Sequence, residues 1–150
     1  MTTITLHTAI EAPIRVCFDK AADIGLHRQS MSRHRETVVT GRNSGRCAPG
    51  DEITWEATHF GIRQQLSSRI TRFEEPYFFE DRMINGAFKS MLHGHHFEQR
   101  DGHTLMTDIF SYEVPYGPAG WLFNKLVLKA YMRRFLELRN RHIKAAAEGR

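Results

Sequence analysis

The chain has 150 residues, room for one domain that buries about two thirds of its unfolded surface and needs no staples. Its two cysteines, Cys17 and Cys47, lack CxxC or metal-ligand spacing, which predicts reduced thiols in a cytoplasmic protein. There is no charged-then-apolar leader and no apolar run near ~18 residues, so neither export nor membrane spanning is expected. The net charge of +4 is C-terminal: residues 118–150 hold eight Lys and Arg against two acids. The segment lacks the interleaved aromatics and recognition helix of a nucleic-acid binder, so no nucleic-acid partner is expected.

In chain order, residues 2–10 alternate with Ile4, Leu6, Thr8 and Ile10 on one side, which predicts a strand. Ala12-Pro13 opens a short helix with proline in its first turn, and Asp23 caps a second short helix to about Gln29. Residues 36–41 read as a strand and 43–50 as a loop. Alternation then marks strands over 52–59, 62–73, 77–85, 88–99 and 104–114, most economically a meander. After Pro115-Tyr116-Gly117-Pro118 the period becomes helical from about Ala119 to Ala147, with Trp121, Leu128, Tyr131, Phe135, Leu138 and His142 on one stripe. Leu122 and Leu126 leave the first turns of that helix apolar nearly all round. Packing under a loop explains this; contact with a membrane or a subunit is the alternative.

The richest stretch is residues 91–112, two alternating runs joined at Asp101-Gly102. A two-residue type I′ hairpin there sets Arg100 opposite His103, then Phe97 opposite Met106, His95 opposite Asp108, His93 opposite Phe110 and Met91 opposite Tyr112. These four outer pairs share one face, the non-hydrogen-bonded one, where side chains meet most closely. The other face, with Leu92, Gly94, His96 and Glu98, is smaller and wetter. The first face is therefore expected to look inward and to carry polar groups with it.

The chain resembles the START-related, or SRPBCC, helix-grip superfamily over nearly its whole length, and looks like a bacterial branch described as ligand-binding or cyclase/dehydrase-like. The matching stretches are Ala12-Pro13, Asp23-Ile24-Gly25-Leu26-His27, Gly50-Asp51 with Trp55, His59-Phe60-Gly61, Gly86-Ala87-Phe88, His93-Gly94-His95 with Phe97, Asp108, and the turn at 115–118. Ala87 stands where the branch usually has proline. The resemblance implies an α+β helix-grip fold over residues 1–150: a curved antiparallel sheet of about seven strands around a long C-terminal helix, with two short helices after strand one. It also implies a cavity for hydrophobic ligands, and no particular reaction, cofactor or metal.

His95 opposite Asp108 is the expected chemical centre, because a carboxylate fixes an imidazole's tautomer and favours its charged form. The pair reads first as a buried structural contact, then as a ligand anchor, and last as an acid/base couple. His59, at the mouth of the 52–73 hairpin, is expected to point into the cavity entrance. With His93 and His95 it would make a three-imidazole set of the kind zinc uses, but nothing in their spacing enforces convergence, so no metal is expected. Trp55, Phe79, Met83, Met91, Phe97, Met106, Phe110, Tyr112, Leu128, Tyr131 and Phe135 complete the candidate wall. No G-x-S-x-G, P-loop, G-x-G-x-x-G or H-E-x-x-H pattern occurs. Two functions follow: binding of a lipid-like or polyketide-like small molecule, or a cyclase, dehydratase or isomerase that uses the His-Asp pair in the same cavity.

Overall fold

The computed structural model describes residues 1–150, the side chain of Arg33 excepted. β1 (Thr2–Ile10) leads into α1 (Ile14–Ala21), α2 (Ile24–Ser30) and a 3-10 turn at Ser32–His34. Then come β2 (Thr37–Thr40), β3 (Glu52–His59), β4 (Ile62–Glu74), β5 (Phe78–Asn85), β6 (Ser90–Arg100) and β7 (His103–Glu113). The chain ends in α3 (Gly117–Phe123), a π-helical turn at Asn124–Leu128 and α4 (Lys129–Ala147). The strands form one antiparallel sheet in the order β1-β7-β6-β5-β4-β3-β2, a meander whose last strand pairs with the first. Register shifts at Ser67/Ser68 and Ile70/Arg72 add bulges between β4 and β5, which deepen the sheet's twist and curvature. The result is an α+β helix-grip fold, the sheet curving around the C-terminal helix.

The local signals act largely as expected. Asp23 Oδ1 accepts from Leu26 N at 3.0 Å, capping α2. Pro13 sits at the cap of α1, just outside the first turn, where its fixed φ of −61° serves as well. The β6–β7 register places Arg100 opposite His103 and His95 opposite Asp108, and Met91, His93, His95, Phe97, Met106, Asp108, Phe110 and Tyr112 are all buried.

The turn itself differs from type I′. Only Gly102 takes a positive φ, at 72°, whereas type I′ needs two such residues. The two-residue connection alone holds the register. The doubly left-handed pair occurs instead at the β3–β4 tip, with Phe60 at 53° and Gly61 at 74°.

The expected helical stripe also shifts. The buried residues of α4 are Leu136, Arg139, Asn140 and Ile143, whereas Leu138 and His142 are only partly buried and Trp121 is 59% exposed. Two causes are visible. The π-helical turn inserts extra arc into the helix, so residues before it face a different way from those after it. Arg139 and Asn140 then place polar groups on the inward face, breaking the apolar pattern that would have marked it.

Two apolar clusters fill the space between sheet and helices. One gathers Ile10, Cys17, Phe18, Ile24, Phe79, Phe97, Met106 and Ile143; the other gathers Ile4, Leu6, Met91, Phe110, Tyr112 and Leu136. Three elements cross both in step. β6 runs from Met91 to Phe97, β7 from Phe110 to Met106, and α4 from Leu136 to Ile143. Between these apolar residues each contributes polar ones: His93 and His95, Asp108, and Arg139 and Asn140, all buried.

Candidate functional site: a cavity with a polar band

The polar band is tied together by hydrogen bonds. His93 Nε2 lies 2.8 Å from Asp108 Oδ1, and Asn140 Nδ2 donates to Asp108 Oδ2 at 2.7 Å. Arg139 Nη1 reaches Asp108 Oδ1 at 3.4 Å. His95, although directly opposite Asp108 in register, turns its Nε2 to Asp81 Oδ1 on β5 at 2.9 Å, leaving its Nδ1 at 3.5 Å from Asp108. The expected His95–Asp108 couple is thus two couples, His93–Asp108 and His95–Asp81. Each imidazole reaches diagonally, while the two rings stack with centroids 3.8 Å apart.

Charge follows from this geometry. Burial alone would raise the Asp108 carboxyl, but hydrogen bonds from His93 and His95 outweigh it and hold the group well below the ordinary carboxylate range. Asp81 is likewise pushed up by burial, but the hydrogen bond to His95 and the nearby His95, His93 and Arg139 together hold it below the ordinary carboxylate value. Burial, reinforced by the neighbouring His95, pulls His93 down to about 4, so its ring is neutral at pH 7. A neutral ring beside a carboxylate carries its proton on Nε2, donating to Asp108, and leaves Nδ1 as a lone pair.

Above the band lies a cavity of about 710 Å³, within the range of small-molecule sites. Its wall includes Trp55, His59, Phe79, Met91, His93, His95, Phe110, Leu128, Tyr131 and Phe135 from the expected set. Five others of that set lie off the wall. Phe97 and Met106 are core beneath it, Met83 and Tyr112 belong to the second apolar cluster, and Asp108 is fully buried behind the histidines. Tyr112 instead donates its hydroxyl to Asn124 at 2.6 Å, at the π-helical turn.

Several wall residues escaped the sequence reading: Asp81, Arg139, Met132 and Leu136 among them. Asp81 had a signal, since it shares strand parity with Phe79 and Met83. Arg139 had none, because an arginine amid basic residues of a helix reads as surface.

His59 sits at the other end. Its Nδ1 is 2.6 Å from Tyr131 Oη, its ring is 5.2 Å from His34 and 5.3 Å from Phe135, and burial, then the nearby His34, lowers its affinity for a proton. It therefore does not join His93 and His95. The metal-type grouping among the described residues is Asp81, His93 and His95, whose ligand atoms lie within 4.8 Å of one another. Each imidazole of this set already spends its Nε2 on a carboxylate, His93 on Asp108 and His95 on Asp81.

The exposed members of the wall, including Phe60, Ile62, Tyr116 and Phe123, mark the opening. Phe60 is held at positive φ, costly for an aromatic residue, with its ring 4.4 Å from Tyr131 and 5.6 Å from Phe123. These contacts tie the β3–β4 tip to the start of the C-terminal helix.

Sheet, gripped helix and enclosed apolar cavity define a helix-grip protein of the START-like class. Residues 10–137 match the model for polyketide cyclase / dehydrase and lipid transport, and the chain belongs to that family. No curated protein matches it in sequence. Among solved structures it is similar to TTHA0849 from Thermus thermophilus, with a TM-score of 0.76 and 18% identity over 97% of this chain and 99% of that one. It is also similar to a START superfamily protein from Mycobacterium smegmatis, at 0.73 and 13% over 98% and 97%, and to Ara h 8.0201, at 0.72 and 12% over 99% of both chains. At such identities these likenesses concern the fold. No helix among the described residues is long and apolar enough to cross a membrane.

Proposed function

We propose that the protein binds a hydrophobic small molecule, lipid-like or polyketide-like, whose apolar body fills the cavity and whose polar end meets Asp81 and His93. The observation that carries this reading is the pairing of a mostly apolar wall with one polar band at its inner end, the pattern by which pockets combine affinity with orientation. The test is extraction and mass spectrometry of the protein purified without detergent. A co-purifying hydrophobic molecule is expected; an empty protein that also fails to take up Nile red would end the reading.

A cyclase, dehydratase or isomerase in the same cavity is the second reading, supported by the His93–Asp108 couple. A neutral imidazole with Nε2–H held by a carboxylate has its Nδ1 lone pair available as a general base. His93→Gln separates the two functions: turnover of a conjugated carbonyl substrate would collapse in an enzyme, whereas a carrier loses only some affinity.

The partner outside the cavity is, on this reading, an anionic lipid surface. Trp121, Leu122 and Leu126 are 59%, 50% and 68% exposed on the stretch of chain that also supplies Phe123 to the cavity wall, and residues 117–136 carry four Lys and Arg and no acid. A Trp121→Glu, Leu126→Glu double variant should lose sedimentation with anionic vesicles. Unchanged sedimentation, or none by the native protein, removes this partner.

A further inference from the structure

The charges around the cavity specify the head of its ligand. Three carboxylates lie on the wall, Asp23, Glu36 and Asp81, against a single lysine or arginine among the described residues, Arg139. Asp23 is committed to the cap of α2 and Glu36 to His27 Nε2 at 2.6 Å. Asp81 is different: its Oδ1 accepts from His95, and among the described residues no protein donor reaches its Oδ2.

Arg139 has no such spare capacity. Nη1 is shared between Asp108 Oδ1 and Asn140 Oδ1, Nη2 between the Ala21 carbonyl and His95 Nδ1, and Nε points at His27 Nδ1. Every nitrogen of the guanidinium is thus engaged within the protein, Nη2 through the Ala21 carbonyl whichever tautomer His95 adopts. Freeing Arg139 for a ligand anion would take from the fully buried Asp108 carboxylate its guanidinium partner, leaving it only His93 and Asn140 as donors. His93, neutral, adds only a lone pair on the same side.

The inner end of the cavity therefore presents acceptors, the Asp81 carboxylate and His93 Nδ1, and no uncommitted cation. Whichever charge His95 carries, adding an anionic head would leave the buried Asp108 and Arg139, with the partly buried Asp81, carrying excess negative charge away from bulk water. We infer that the ligand carries a hydrogen-bond-donating head, a hydroxyl, phenol or amine, seated on Asp81, and that carboxylate- and phosphate-headed amphiphiles are selected against. This rests on the hydrophobic-ligand reading above and refines it.

Three probes of nearly equal apolar length, 1-decanol, 1-methoxydecane and decanoate, test it by displacement of Nile red from the intact protein at pH 7.5. The alcohol should bind about tenfold more tightly than its methyl ether, which lacks the donor, and at least tenfold more tightly than the carboxylate. Asp81→Asn should bring decanoate to within about threefold of decanol. Because the native protein alone ranks the three probes, the inference stays testable even if the variant does not fold. Decanoate binding as well as or better than decanol, or an ether equal to the alcohol, overturns it while leaving the hydrophobic-ligand reading in place. Failure of Nile red and all three probes to bind overturns both.

Discussion

Along the C-terminal helix, from the end of the π-helical turn into α4, two short stretches meet the cavity in opposite ways. Leu128, Met132 and Phe135 offer it apolar surface near the opening, whereas Arg139 and Asn140, one turn further on, reach to Asp108 across the sheet and close its inner end with hydrogen bonds. Toward the opening, apolar side chains from α3, the π-helical turn and the β3–β4 tip stay exposed; at the inner end, ionisable groups are buried or nearly so. Each region inverts the usual placement, and each inversion has its own physical consequence. Exposed apolar surface marks contact with something outside, while a buried charged network is costly to leave half satisfied.

The inner end is most vulnerable at Asp108. Asp108→Ala leaves Arg139, His93 and Asn140 without their shared acceptor and should cost about 3–5 kcal/mol in urea denaturation, the scale for stranding a buried charge. Asp108→Asn keeps an acceptor and should cost less. Similar losses in the two variants would show that the network's charge is not what holds it.

Next in size is the helix phase. Leu136→Ala, at a buried position in the second apolar cluster, should lose about 2–5 kcal/mol, and Leu138→Ala, only partly buried, clearly less. The reverse order would restore the stripe read from the sequence and reject the inward placement of Arg139.

Acid should weaken the inner end specifically. Unfolded, His93 takes up its proton near the ordinary value of about 6.5; folded, it stays neutral to about 4. The unfolded state thus binds more protons across that window, and stability falls as pH drops through it, by about 3 kcal/mol from this residue at ~1.4 kcal/mol per pH unit. Asp108, whose folded carboxyl is held low, adds its loss only below about pH 4, where the unfolded carboxyl protonates. Denaturation midpoints of a His93→Leu variant should be flatter between pH 6.5 and 4; a slope equal to that of the native protein would contradict the neutral, buried ring.

Much of the scaffold was legible because strand parity is a local signal. A two-residue turn and strict alternation placed eight inward residues of β6 and β7, and no distant contact was needed to do so. The partners within the band were not legible in the same way. Register sets His95 opposite Asp108, but rotamers choose diagonally, and His95 found Asp81 on a third strand while His93 took Asp108. Arg139 was hidden because its burial depends on a carboxylate contributed by a strand far away in sequence. The π-helical turn was hidden for a related reason: it is held by tertiary contacts such as Tyr112 to Asn124, not by any residue pattern of its own.

A hydrophobic ligand seated in the cavity against the polar band would be reported by the chain's six methionines. Met91 and Met132 line the cavity, Met31 is buried away from it, and Met1 is 81% exposed. In a methyl NMR titration with 1-decanol, the Met91 and Met132 signals should shift together and saturate at one equivalent, while those of Met31 and Met1 stay in place. Stationary Met91 and Met132 signals, or a drift of Met1 that never saturates, would contradict the account.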